Sequence, residues 1–291
     1  MSLFKYISPK TKDEVLEILQ KEKSNACIVA GCSNVLPNIR DKEIKAKVLI
    51  DITNIEQLKG IYQKEDKIFL GPLTTINELI YSDITSKEYK VLTQAAQEFA
   101  DPLVRNTATI GGNLVTASPA ADIAIPLLTL DALIKIESTR DKREVKLKDF
   151  FVGPGETILQ DDEMIVGIEF EQSDVNKNGY FIKIGQRKAM AISIATVAVN
   201  LEVRQNKINQ IRIAAGSVAP TPVRLTGAES FLKNKEINDK LVEEAIDRVR
   251  EEVKPISDIR ASEEYRRYIS GLLFKRAFKK LADSSIHQFT N

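Results

Sequence analysis

The sequence predicts an α+β protein, and three observations carry that prediction. Short apolar runs at residues 26–30 and 47–51 stop at glycine or at polar turns, as buried strands do. Three further strand-like runs, residues 180–184, 194–203 and 207–216, stand together in the second half. Helical periodicity then takes over: Leu241, Ala245, Ile246, Val249 and Val253 form one apolar stripe, and Leu272, Leu273, Ala277 and Leu281 another. Runs of strands followed by runs of helices define the α+β class.

The elements follow in chain order. Thr11-Lys12-Asp13-Glu14 has capping-box spacing, and Val15, Leu16, Ile18 and Leu19 continue it with helical period. With the two apolar runs that follow, the first fifty or so residues read as a small β–α–β-like unit. Short strands are expected around residues 58–62 and 67–70, closed by Gly71-Pro72, and a helix start at Thr75. Residues 89–100 read as a longer helix. Residues 123–130 read as a short one opened by Asp122, with Pro126 tolerated near its first turn. Residues 133–138 and 143–147 read as a hairpin, and 164–170 as a closing strand. The polar stretch Ser173-Asp174-Val175-Asn176-Lys177-Asn178-Gly179 is the expected boundary, dividing a domain of residues 1–175 (subdomains about 1–55 and 56–175) from one of 176–291.

Composition excludes several functions. The 291 residues carry a net charge of +1, with basic and acidic residues interspersed, so no nucleic-acid partner is expected. Two cysteines, Cys27 and Cys32, and one histidine, His287, cannot assemble a zinc set or an iron–sulfur cluster within the chain. A serine–histidine–carboxylate triad would depend on His287, in a polar tail expected to be disordered. The N-terminus lacks a signal-peptide apolar core and no apolar run is long enough to span a membrane, so the expected location is the cytoplasm, with both thiols free.

Two glycine-bearing segments are the candidate site. Thr109-Ile110-Gly111-Gly112-Asn113-Leu114 sets paired glycines between strand-like apolar flanks, and Ser118-Pro119-Ala120-Ala121-Asp122 follows. Such a gap admits either a bulky anion close to backbone amides or another backbone in close packing. Ala30-Gly31-Cys32-Ser33-Asn34-Val35-Leu36, directly after a strand, is either a simple turn or an amide nest for phosphate oxygens. It is neither a G-x-G-x-x-G fingerprint nor a P-loop. Two amide-rich loops and a carboxylate suit an extended dinucleotide, and the residues alone leave its identity open.

These motifs resemble the two flavin loops of the FAD-binding medium subunit of molybdenum hydroxylases, the family that includes xanthine dehydrogenase and carbon monoxide dehydrogenase. Gly216-Ser217-Val218-Ala219-Pro220-Thr221-Pro222-Val223-Arg224 and Ser262-Glu263-Glu264-Tyr265-Arg266-Arg267 are similar to signatures of the family's C-terminal domain. The resemblance implies a two-subdomain FAD-binding domain of the vanillyl-alcohol-oxidase type, then a small antiparallel sheet with a helical bundle. By resemblance, Val29, Ala30, Gly31, Cys32, Ser33, Asn34 and Val35, with Thr109, Gly111, Gly112 and Asn113, contact the FAD pyrophosphate and ribityl regions. Asp122 would meet sugar or ribityl hydroxyls, and Phe99, Ile165 and Lys183 match positions near the flavin. Many bacterial relatives have a second glycine at the position of Cys32, and an aspartate or histidine at that of Asn34.

The resemblance further implies an electron-transfer subunit with no catalytic acid or base of its own. A partner small subunit would carry two [2Fe-2S] centres and a large subunit the molybdenum cofactor. FAD on this chain would pass electrons to NAD or another acceptor. An assembly subunit with weakened FAD binding and a standalone flavoprotein are the competing readings.

Overall fold

In the computed structural model, which describes residues 4–187 and 190–288 (the last five by backbone alone), the chain opens with a three-stranded parallel sheet. Its strands β1 (Lys5–Ile7), β2 (Ala26–Val29) and β3 (Val48–Asp51) lie in the order β1-β3-β2. Helix α1 (Lys12–Glu22) covers it, burying Val15, Leu16 and Leu19 in a cluster with Val48 and Ile50. Thr11 caps α1 by accepting from the Glu14 N–H at 3.3 Å, while the Glu14 carboxylate reaches back to the Lys10 N–H rather than to that of Thr11. Strand β1 has no counterpart in the sequence reading, because three residues are too few for a period. A short helix, α2 (Val35–Arg40), follows the glycine-bearing loop after β2.

A five-stranded antiparallel sheet comes next. It contains β4 (Ile61–Lys64), β5 (Lys67–Leu70), β6 (Leu133–Glu137), β7 (Lys142–Lys146) and β10 (Met164–Glu171), in the order β4-β5-β10-β6-β7. Two small strands, β8 (Phe151–Gly153) and β9 (Glu156–Thr157), pair outside it. Between β5 and β6 run the short helices α3 (Ile76–Tyr81), α4 (Asp83–Glu88), α5 (Lys90–Gln97), α6 (Pro102–Arg105), α7 (Ile110–Val115) and α8 (Ala124–Thr129). Thr75 and Glu78 close a reciprocal capping box on α3.

Several expectations are corrected here. Leu58 sits in a 3-10 turn, and the strand begins only at Ile61, after Gly60 at φ 95°. Helix α5 stops at Gln97 rather than at residue 100, because Ala100 turns left-handed at φ 38°. The glycine pair lies in helix α7, not between strands: Thr109 caps it by accepting from the Gly112 N–H at 3.1 Å, and Ile110 and Leu114 bury one face. Asp122 does not cap α8, whose first helical residue is Ala124 and whose N-cap, Ile123, has no side-chain bond to give.

The stretch read as a boundary forms α9 (Asp174–Lys177), with Val175 and Asn176 buried. The buried Asn200 amide donates to Val175 O at 3.0 Å and Asn176 O at 3.1 Å, pinning this connection to the next sheet. That sheet is antiparallel, in the order β11 (Gly179–Gly185), β12 (Ser193–Arg204), β13 (Lys207–Gly216), β14 (Val223–Arg224). Helices α10 (Thr226–Leu232), α11 (Asp239–Glu252) and α12 (Glu263–Gln288) pack on one face around Phe274 and Phe278. Helices α5 and α8 of the first half pack on the other. The segment around His287, expected to be a disordered tail, continues α12 in its backbone; the His287 side chain lies outside the described residues.

Candidate cofactor-binding site

A cleft of about 700 Å³ opens between the loop after β2, the start of α7, strand β10 and Ile192. Ala30, Gly31, Cys32, Ser33, Asn34, Val35, Phe99, Thr109, Gly111, Gly112, Asn113 and Ile165 all line it. The structure thus brings together residues that lie up to 135 positions apart. Val29 is buried at the end of β2 and does not line the cleft. Asp122 and Lys183 stand apart from it. Lys183 lines a neighbouring cleft of about 810 Å³ with Glu98, Arg105 and Gln186, and Ala100 borders both clefts.

The two glycine segments present different backbones to the cleft. The amides at the glycine pair are all taken within the protein: Ile110 donates to Thr74 O at 2.9 Å, Gly111 to Pro72 O at 2.8 Å, Gly112 to Thr109 Oγ1 and Asn113 to Thr109 O at 3.0 Å. A Cβ at Gly111 would lie 2.8 Å from Pro72 Cβ and O, so that glycine serves close packing. A Cβ at Gly112 would meet only Thr109 Oγ1, at 3.0 Å. The Asn113 Oδ1 atom is buried with no hydrogen-bond donor.

By contrast, no backbone N–H of residues 31–35 finds an acceptor among the described residues. A run of unpaired amides beside a turn is an anion-binding concavity. The loop is held by close approach, since a Cβ at Gly31 would lie 1.7 Å from Thr107 O. The next residue, Cys32, takes the left-handed region at φ 55°, a conformation that disfavours a side chain.

A buried ion pair stands beside the neighbouring cleft. Lys183 Nζ lies 2.5 Å from Asp122 Oδ2, with only 5% and 8% of the two side chains exposed, and donates also to Glu98 O at 2.9 Å. Asp122 Oδ1 has no partner. Burial pushes the Asp122 carboxyl up to about 6, against the pull of the Lys183 ammonium. On the rim of the glycine-lined cleft, the bidentate Arg143 guanidinium holds the Glu163 carboxyl below its ordinary value, although burial opposes it. Burial raises the Cys32 thiol, and the Asp51 carboxylate adds to the rise.

Arg105, which lines the neighbouring cleft, is among the residues that sequence reasoning missed, as are Pro72, Glu163 and Ile192 in the cleft itself. The Arg105 guanidinium donates to Gln97 O at 3.1 Å and to Phe99 O at 2.9 Å. No spacing signals this role, since it arises from the way α6 folds back over the end of α5. The C-terminal signatures prove structural. The Ser217 N–H donates to Pro119 O at 2.8 Å, and Arg224 bonds Leu128 O at 2.8 Å and Glu229 at 2.5 Å. Arg266 reaches Ile194 O, Ser217 O and Asp258, and Arg267 takes Arg250 O and Val253 O at the end of α11.

Residues 2–170 match the family described as the FAD binding domain in molybdopterin dehydrogenase, and residues 180–281 match the CO dehydrogenase flavoprotein C-terminal domain. The chain is 32% identical over 264 residues to the xanthine dehydrogenase FAD-binding subunit of Escherichia coli O157:H7, covering 90% of each. It is 30% identical to the glyceraldehyde dehydrogenase medium chain of Sulfolobus acidocaldarius, covering 96% of this chain and 98% of that one. Its fold superposes on carbon monoxide dehydrogenase from Hydrogenophaga pseudoflava with a TM-score of 0.92 at 29% identity, over 96% and 97% of the two chains. These likenesses define an FAD-binding oxidoreductase subunit. Within that class, the chain belongs to the FAD-binding medium subunits of the molybdenum hydroxylase family.

Proposed function

We propose that this chain holds FAD in the cleft between its glycine segments and serves as the electron-transfer subunit of a molybdenum hydroxylase complex. The observation that carries this reading is the run of unpaired amides at residues 31–35, in a cleft also lined by Asn113, whose buried Oδ1 is unpartnered. The amides and the Ser33 hydroxyl suit pyrophosphate oxygens, and Asn113 Oδ1 suits a sugar or ribityl hydroxyl. Phe99 and Ile165 offer apolar surface to an aromatic ring system. When bound there, FAD supplies the redox chemistry that accepts single electrons from iron–sulfur centres and delivers a pair to an acceptor such as NAD. The chain's own residues bind and orient it, and none needs to move a proton.

In this reading a small subunit carries two [2Fe-2S] centres and a large subunit carries the molybdenum cofactor and the substrate. The medium chain divides into residues 1–175 and 176–291, the first a two-subdomain unit of the vanillyl-alcohol-oxidase type. A second reading, an assembly subunit with weakened FAD binding, is favoured by the left-handed backbone at Cys32.

Purified protein should show flavin absorbance or take up one FAD per chain in a calorimetric titration. FMN, which lacks the pyrophosphate and adenosine, should compete poorly. Absence of any FAD binding overturns the proposal. Much tighter binding by Cys32→Gly than by the parent favours the second reading.

A further inference from the structure

Helix α5 ends where the two clefts meet, and its last carbonyls would ordinarily be left to water. Here they are met by two cations from different parts of the chain. Arg105 donates to Gln97 O and Phe99 O, and Lys183 donates to Glu98 O. Three successive carbonyls are therefore fixed, and the chain reverses immediately afterwards at Ala100, which is held at φ 38°. A non-glycine residue keeps that conformation only where its surroundings over-determine it.

Arg105 is itself fixed. Asp101 caps α6 by accepting from the Leu103 N–H at 2.8 Å and the Val104 N–H at 3.0 Å, and the Arg105 N–H returns to Asp101 O at 2.9 Å. Two residues on, Thr107 O is the atom packed against Gly31, and Thr109 then caps α7. One short strut thus touches the turn bearing Phe99, the loop with the unpaired amides and the glycine helix. Among the described residues no carboxylate pairs with Arg105: its Nη1 serves the backbone, and its buried Nε has no partner. Both bonds to the turn come from one guanidinium nitrogen, Nη1, held at the end of a long side chain.

We propose that Arg105 is a positioning residue of the flavin site, fixing the turn at residues 97–100 so that the Phe99 ring is presented to the cleft. The assignment rests on the FAD reading above. Arg105 acts through Phe99 and does not touch the cofactor.

The test is a double-mutant cycle on full-length protein, read by FAD affinity from flavin fluorescence and by visible circular dichroism of the bound flavin. Arg105→Met should weaken FAD binding about tenfold, the scale of one charge-assisted hydrogen bond, and change the dichroism. Arg105→Lys, which keeps the charge on a shorter side chain without the planar guanidinium, should lose about threefold. In a Phe99→Leu background the Arg105→Met change should cost less than about twofold, because the ring it positions is already gone. Should Arg105→Met fail to fold, the same cycle is read with Arg105→Lys. Unchanged binding and dichroism in the Arg105 variants overturn the assignment. So does a full loss that persists in the Phe99→Leu background, or a lowered melting temperature with unaltered flavin signals. If the parent chain binds no FAD, the cofactor reading falls and the assignment falls with it; a parent that binds normally isolates the failure to Arg105.

Discussion

Lys183 on β11 and Asp122, just ahead of α8, form a 2.5 Å ion pair that is almost wholly removed from solvent and joins the two halves of the chain. A buried pair of this kind is worth little relative to apolar residues, but removing one partner strands the other charge. Burial therefore governs the Asp122 carboxyl, which titrates at about 6 rather than 3.8.

The first prediction follows from that value. The folded state holds the Asp122 proton more tightly than the unfolded state, so this group's contribution lowers stability as pH rises from about 4 to 6 and is level above that. Lys183→Met should cost about 3–5 kcal/mol at pH 8, and clearly less at pH 5, where the carboxyl protonates. Urea unfolding at the two pH values measures the difference. A loss independent of pH contradicts the account.

Gly31 and Gly112 should respond differently to alanine. At Gly31 the new Cβ would meet backbone at 1.7 Å, and neither Thr107 nor the loop can give way cheaply. Gly31→Ala should lose at least about 3 kcal/mol, the upper range for an overpacked site, or fail to fold. At Gly112 the only neighbour is a hydroxyl at 3.0 Å, so Gly112→Ala should stay within about 1 kcal/mol of the parent. Thermal unfolding of the two variants checks the contrast.

Cys32 is predicted to be replaceable to advantage. Its φ of 55° is left-handed, and glycine adopts that region freely. Relief of the strain exceeds the added chain entropy, so Cys32→Gly should gain about 0.5–1 kcal/mol. A denaturant midpoint at or below that of the parent would rule this out.

Asp258 gives the opposite pH dependence to Asp122. Although burial raises it, the Arg260 and Ala261 N–H groups and the Arg266 guanidinium hold its carboxyl down at about 2. Because the folded value is depressed, the stabilisation is present above about pH 4 and is lost as pH falls toward 2. Arg266→Met should weaken that acid dependence, leaving the part due to the Arg260 and Ala261 N–H groups, and, by orphaning Ile194 O and Ser217 O, cost about 3 kcal/mol. Acid unfolding curves of the variant and parent distinguish the two effects.

Much of the site was legible because it is built from contiguous motifs. A glycine before Cys32 and a glycine pair after Thr109 mark backbone that must approach something closely, and both segments line one cleft. What the backbone approaches was not legible. Gly111 meets Pro72 and Gly31 meets Thr107, both distant in sequence, while the unpaired amides belong to residues 31–35 and not to the glycine pair. Similarly, Tyr89 through Ala100 carries a helical pattern throughout, yet the helix ends at Gln97 where Ala100 turns left-handed and two cations take its carbonyls.

The sequence by itself determined the α+β class, the strands from residue 179 to 216, the helices after 239 and the two segments that meet at the cleft. Those features rest on local period, capping and glycine placement, which a linear chain displays. Tertiary structure alone decided that Asp122 pairs with Lys183, that Arg105 grips the turn before Ala100, and that residues 174–177 of the polar stretch form a short, pinned helix. Each of these depends on which polar groups are buried together, and a buried donor or acceptor takes its partner from whatever the fold brings near.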